Sequence, residues 1–255
     1  MAAAAVSARQ IGVAGHLRFI LRVLAIAAVL AFCAPLAALW RRLGLHNPWS
    51  RLFLSGLCRF GGIRLRIEGA LPPRGALLLA NHVSWIDIPA LGAVSGTAFV
   101  GHDGLSSTPL LRHLCELNDT VFVARHDRAS VHAQVEQVRT ALGETGALAI
   151  FLEGTTSDGT GLLPFKSSLL SAVDPLPAGI TVIPLLLDYG AEAADIAWIG
   201  EEHGVDNFRR ILARARPLTV TLRFLPALTG EALASRKTIA AAARAAILSA
   251  LTHSG

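Results

Sequence analysis

Ala76-Leu77-Leu78-Leu79-Ala80, followed at once by Asn81-His82-Val83-Ser84-Trp85-Ile86-Asp87, is the stretch on which the reading of this chain turns. Five apolar residues bounded by polar ones have the length of a buried strand. The segment leaving that strand carries a histidine and, five residues on, an aspartate. With His82 in the loop and Ser84 capping the next helix, Asp87 falls in that helix's first turn, where its carboxylate can turn back to the imidazole. A carboxylate on one ring nitrogen fixes the tautomer and frees the other nitrogen as a base. The same residues also fit a plain helix start, because Ser84-x-x-Asp87 has the form of a capping pair. His82 would then be an incidental loop residue, and these residues alone leave both readings open.

Outward from this stretch, short apolar runs rich in β-formers alternate with helical segments. The runs are 76–80 (ALLLA), 97–101 (TAFVG), 120–124 (TVFVA), 147–151 (ALAIF), 180–187 (ITVIPLLL) and 218–225 (LTVTLRFL). Between two of them Val131, Val135, Val138 and Leu142 share one helical face. Residues 231 to 251 form an Ala-rich segment that predicts another helix. Strands separated by helices imply a single α/β domain with a mostly buried mixed sheet flanked by helices. Chemistry is then expected in loops at strand ends.

Composition narrows the setting. The 255 residues are 53% hydrophobic and only 16% charged, against about a quarter charged in a soluble domain. The net charge is +5. A basic, apolar chain fits an anionic membrane surface, where each nearby Lys or Arg adds roughly 1 kcal/mol. Nucleic-acid binding calls for basic clusters interleaved with aromatics, and the chain has one Tyr. Cys33, Cys58 and Cys115 are far apart in apolar stretches, which fits free thiols rather than a disulfide framework or a zinc site.

The apolar excess is concentrated near the N-terminus. Val23 to Trp40 is an uncharged run of 18 residues, at the lower edge of what spans a hydrocarbon core. Arg9, Arg18 and Arg22 resemble the start of a signal peptide, but the run ends in Arg41-Arg42 instead of a cleavage site. Pro35 favours a bend. After His46-Asn47-Pro48, Trp49 to Phe60 sets Leu52, Phe53, Leu57 and Phe60 at helical spacing, with Arg51 and Arg59 available to face lipid headgroups. A helix pair dipping into one leaflet and a spanning helix followed by a core helix both fit. The expected organisation is a membrane-anchoring helix pair over 1–60 and a catalytic domain over 61–255.

Asn81-His82-x-Ser84-x-x-Asp87 resembles the first signature of the glycerolipid acyltransferases. Further blocks follow in the order of that family: Phe122-Val123-Ala124-Arg125, then Phe151-Leu152-Glu153-Gly154-Thr155, then Val182-Ile183-Pro184-Leu185. The resemblance covers roughly residues 60 to 225. It implies that His82 is the general base on an acceptor hydroxyl and that Asp87 orients it. It also places Arg125, Glu153, Gly154 and Thr155 in the acceptor site. Lys166, one of two lysines, follows the glycine- and hydroxyl-rich loop 153–161 and is expected to reach the same headgroup.

The reaction implied moves a fatty acyl group from acyl carrier protein or coenzyme A onto a lysolipid hydroxyl. It needs no cofactor beyond that thioester co-substrate and no metal, and it forms no covalent acyl-enzyme. The chain accordingly lacks a G-x-S-x-G elbow. The expected acceptor is 1-acyl-sn-glycerol-3-phosphate in the membrane, giving phosphatidic acid. Three positions depart from the family pattern: Asp119 for Gly, Leu152 for Pro and Thr156 for Arg. The family associates that Arg with the acceptor phosphate, and a hydroxyl supplies neither its charge nor its fork. The run from Glu153 to Gly159 and the LPFKSSLL that follows are similar to lyso-ornithine lipid acyltransferases, which makes lyso-ornithine lipid the alternative acceptor. A lipid hydrolase and a non-catalytic membrane protein are more distant alternatives, the first needing a Ser or Cys nucleophile in a strained turn. The expected location is the inner membrane, with the catalytic domain facing the cytoplasm.

Overall fold

The computed structural model describes residues 11–45, 47–102, 121–123, 146–177 and 179–253. Arg125, Cys115, Arg9 and the helical face of Val131 to Leu142 lie outside the described residues. Within them, seven strands form one mixed sheet: β1 (Ile63–Glu68), β2 (Ala76–Ala80), β3 (Thr97–His102), β4 (Val121–Val123), β5 (Ala147–Phe151), β6 (Val182–Asp188) and β7 (Leu218–Phe224). Their order is β1-β7-β6-β2-β5-β3-β4. All neighbours run parallel except β6 and β7.

Six of the seven strands coincide with the apolar runs of the sequence, shifted by at most two residues at an end. The seventh, β1, reads Ile-Arg-Leu-Arg-Ile-Glu and carries arginine at every second position. It lies at the edge of the sheet, where one side of a strand meets water and charge costs little.

The sheet is covered on both faces. Among the described residues the helices are α1 (Val13–Arg42), α2 (Trp49–Gly61), α3 (Asp87–Ser95), α4 (Ala193–Ile196), α5 (Gly204–Leu212) and α6 (Arg236–Thr252). On one face Leu78 and Ala80 of β2 pack with Phe53 and Leu54 of α2 and Leu91 of α3. On the other, Leu77 and Leu79 pack with Ile239, Ala240 and Ala243 of α6. The strict alternation within β2 thus serves both layers, and all five of its residues are buried. α6 begins five residues later than the sequence predicts. Ser235 caps it reciprocally with Thr238, and a 3₁₀ turn at Gly230–Leu233 takes up the residues before.

α1 is unbroken through Pro35 and is long and apolar enough to cross a membrane. Its residues Leu17, Ile20, Leu21, Leu24 and Phe32 are exposed. α2 is split between two settings: Phe53, Leu54 and Cys58 are buried against the body, whereas Leu52 and Phe60 point outward. Between α1 and α2 lies a groove of about 700 Å³ lined by Ala25, Ala28, Phe32, Leu52, Gly56 and Phe60. Cys33 and Cys58 are free thiols, as expected.

The arginines of this hairpin do not all face outward. Arg51, expected at headgroups, donates instead to the carbonyls of Ala93 (3.0 Å) and Val94 (2.8 Å) at the end of α3. Arg18 donates to the carbonyl of Ala213, and Arg22 to those of Leu212 and Arg214, at the end of α5. The last carbonyls of a helix have no partner within it, and a guanidinium supplies donors in the geometry they need. That demand, invisible in a linear pattern, outcompetes solvent for these three side chains.

Candidate active site

β2 lies between β5 and β6, parallel to both, so the C-terminal ends of the three strands open on one edge of the sheet. In open α/β sheets that edge is where ligands bind. Here it collects Asn81 and His82 after β2, Glu153 shortly after β5, and Tyr189 after β6. Asn81 ties the strands together beyond their ladder. Its amide donates to the carbonyl of Leu187 (3.1 Å) and accepts from the Leu187 N–H (2.8 Å).

His82 and Asp87 are in contact. Nδ1 of His82 lies 2.7 Å from Oδ2 of Asp87. The imidazole keeps 18% of its side-chain surface exposed while the carboxylate has none. One ring face stacks on Phe151 with centroids 4.2 Å apart, and Phe151 stacks in turn on Phe99. With Nδ1 donating to the carboxylate, Nε2 is left as an acceptor at the surface of the site.

The capping expected of Ser84 is not observed. α3 starts at Asp87 with no side-chain cap, and the Ser84 hydroxyl is buried without a partner among the described residues. Asp87 makes the return half of the expected pair and also closes the turn before the helix. Its Oδ2 accepts the N–H of Val83 (2.7 Å) and of Ser84 (3.0 Å) as well as His82 Nδ1. The two readings of the motif are therefore not rivals, since one carboxylate oxygen closes the turn and holds the imidazole.

The backbone of His82 is gripped from both sides. Glu153, buried, accepts the His82 N–H through Oε1 (3.0 Å) and the Leu163 N–H through Oε2 (3.1 Å). Ser157 donates to the His82 carbonyl through its N–H (2.7 Å) and its hydroxyl (3.0 Å). Burial pushes the Glu153 carboxyl above the ordinary range, and the hydrogen bonds from His82 and Leu163 oppose that rise. Glu153 is thus a brace beneath the site, facing backbone N–H groups rather than the open edge.

Gly154 follows in the left-handed region (φ +69°), and a Cβ there would stand 3.2 Å from Lys166 Nζ and 3.3 Å from Leu169 Cδ1. Lys166 therefore arches over Gly154 while staying exposed, beside exposed Thr155. Gly154, Thr155 and Lys166 form one polar rim beyond His82, and Glu153 underlies them. Thr156, standing where the family pattern has Arg, is turned away: its hydroxyl donates to the Trp198 carbonyl. Asn81, Ser157 and Tyr189 stand at the site without having been assigned a role from the sequence. Asn81 lay in the quoted motif and Ser157 in the loop 153–161, while Tyr189 carried no local signal.

Comparison with known proteins fits this geometry. A family model described as Acyltransferase matches residues 62–188. A lyso-ornithine lipid O-acyltransferase of Rhizobium meliloti is 38% identical over 57% of this chain and 50% of its own length. A protein of the same name from Pseudomonas aeruginosa is 31% identical over 68% of this chain and 67% of its own. A 1-acyl-sn-glycerol-3-phosphate acyltransferase of Neisseria gonorrhoeae is 38% identical over 46% of this chain and 45% of its own. The match thus spans about half the length of the first and third of these relatives and two thirds of the second. The crystal structure of PlsC from Thermotoga maritima, a 1-acyl-sn-glycerophosphate acyltransferase, superimposes with a TM-score of 0.68. It covers 94% of this chain and 95% of that one at 21% identity, and it supports the fold.

Proposed function

The chain belongs to the acyltransferase family, and from that premise we propose that it moves a fatty acyl group from a thioester onto the free hydroxyl of a membrane lysolipid. The observation that carries the reading is the His82–Asp87 contact at 2.7 Å, with Nε2 left free at the sheet edge. Nε2 takes the proton of the acceptor hydroxyl as its oxygen attacks the thioester carbonyl carbon. Asp87 accepts Nδ1–H and stabilises the imidazolium that forms. The tetrahedral intermediate collapses by breaking the carbon–sulfur bond, and the departing thiolate recovers the proton from His82. The donor is acyl carrier protein or coenzyme A, whose thiol is released. Gly154, Thr155 and Lys166 face the headgroup, together with Arg125. Residues 1–60 hold the body at an anionic membrane surface, the inner membrane in this reading, with residues 61–255 on its cytoplasmic side.

Two acceptors follow from the relatives' names, lysophosphatidate and lyso-ornithine lipid. Thr156 favours the second. Its hydroxyl is occupied by Trp198, so this position supplies no charge to a phosphate. A single ammonium at Lys166 suits the one carboxylate of an ornithine headgroup. The test is an acceptor panel in micelles at a common acyl donor: lyso-ornithine lipid, lysophosphatidate and no acceptor. Faster turnover of lyso-ornithine lipid is expected. Thioester loss that ignores the acceptor would sink the transferase reading, and preference for lysophosphatidate would reverse the choice of acceptor.

A further inference from the structure

Asp87 has two carboxylate oxygens, and only one of them faces His82. Oδ2 already receives His82 Nδ1, Val83 N–H and Ser84 N–H. Oδ1 receives the hydroxyl of Tyr189. Three donors thus share Oδ2, while Tyr189 is the one donor on Oδ1 among the described residues. Tyr189 is 5% exposed, lies in the core cluster with Leu187 and Ala193, and stands on the residue that leaves β6. It comes 102 positions after Asp87 in the chain and one residue beyond the stretch matched by the family model.

We propose that Tyr189 is a positioning residue for the reaction, fixing the plane in which the Asp87 carboxylate meets His82. The inference rests on the acyltransferase reading for its kinetic consequence. A carboxylate held through one oxygen alone can pivot about its Cβ–Cγ bond and turn that oxygen's lone pairs off the Nδ1–H direction. A buried phenol bonded to Oδ1 removes that freedom and neutralises no charge, so the carboxylate remains an acceptor for Nδ1–H. Without the phenol, Oδ1 is an unpaired charged oxygen in a dry site, which a protein interior tolerates poorly. Burial first, and the charge of Asp87 second, push the phenol well above its ordinary range, so it remains a donor wherever the enzyme works.

The chain's single tyrosine makes the bond directly readable. Tyr189→Phe keeps the ring and deletes the donor. In the full-length protein in detergent micelles we expect kcat to fall about tenfold, the effect of losing one charge-assisted hydrogen bond, with KM for donor and acceptor within about twofold of wild type. A purely structural tyrosine would move the melting temperature and leave kcat alone. A second measurement needs neither substrate nor that variant to fold. Tyrosinate absorbance is followed against pH in wild type and in Asp87→Asn. The phenol of the variant is expected to ionise at lower pH, because both the neighbouring charge and its strong acceptor have gone. Wild-type kcat in Tyr189→Phe, or coincident phenol titrations, would overturn the proposal. Absence of acyl transfer to every acceptor would instead overturn the functional reading, while a shifted phenol titration would still establish the Tyr189–Asp87 bond.

Discussion

Around Asp87 four donors crowd one carboxylate inside a packed interior, whereas along α1 Leu17, Ile20, Leu21 and Leu24 lie exposed. The first region is stabilised by direction: each bond has one geometry, and losing the Tyr189 hydroxyl strips Oδ1 of the one donor it has among the described residues. The second is stabilised by whatever apolar medium covers it, which has no geometry at all. Substitutions in the two regions should consequently fail in different assays, rate for the first and partitioning for the second.

The largest effect is expected from His82→Ala. Acyl transfer should fall by ~10²–10⁴-fold while sedimentation with anionic vesicles stays unchanged. Transfer at the wild-type rate would remove His82 from the chemistry and leave the motif as a helix start. Glu153→Ala comes next, because it removes a buried carboxylate and leaves the part-buried N–H groups of His82 and Leu163 without their acceptor. We expect a loss of about 3 kcal/mol in denaturant unfolding, and a lower kcat as the His82 backbone loosens.

Glu153 also has a pH signature. Its carboxyl is raised in the folded protein, so its contribution to stability is complete below the ordinary carboxylate range. That contribution is lost as the pH rises through the elevated value. Glu153→Gln should flatten the stability curve across that window; parallel curves would show that the carboxyl does not titrate there.

On the other region, Phe32→Asp combined with Phe60→Asp should weaken partitioning into anionic vesicles about a hundredfold, with kcat in micelles unchanged. Unaltered partitioning would place the membrane-facing surface elsewhere. The smallest effect tests the seam between the regions. Arg51→Ala should cost about 1 kcal/mol, discounted for the exposure of the side chain, by releasing the carbonyls of Ala93 and Val94. Because α3 starts at Asp87, a fall in kcat with normal partitioning would mean that strain at one end of this helix reaches the other.

What could be read without coordinates divides along the same line. Apolar runs betrayed six strands because burial is written into single residues. β1 escaped because edge position, a property of the sheet, lets Arg64 and Arg66 replace apolar neighbours. His82 and Asp87 were legible as a pair at short separation. Tyr189 was not, because only the pairing of β6 with β2 brings it to Asp87. Ser84 was read as a cap because its type and spacing are right. In the fold only the return half of that pair forms, Asp87 accepting the Ser84 N–H while the Ser84 hydroxyl caps nothing. Arg51 was read as facing headgroups, and Arg18 and Arg22 as the charged residues ahead of the apolar run, since nothing in a linear run announces a helix C-terminus lying beside it.

Those arginines carry a topological consequence. Arg18 and Arg22 root the beginning of α1 on the end of α5, and Arg51 roots the beginning of α2 on the end of α3. Trp40 meets Trp49 edge to face with centroids 5.3 Å apart, so the turn between the two helices is closed. At 1.5 Å per residue, the 13 residues of α2 rise about 20 Å, short of the ~30 Å of a hydrocarbon core. The hairpin is therefore fastened at two separate points to the same sheet domain that carries the His82 edge.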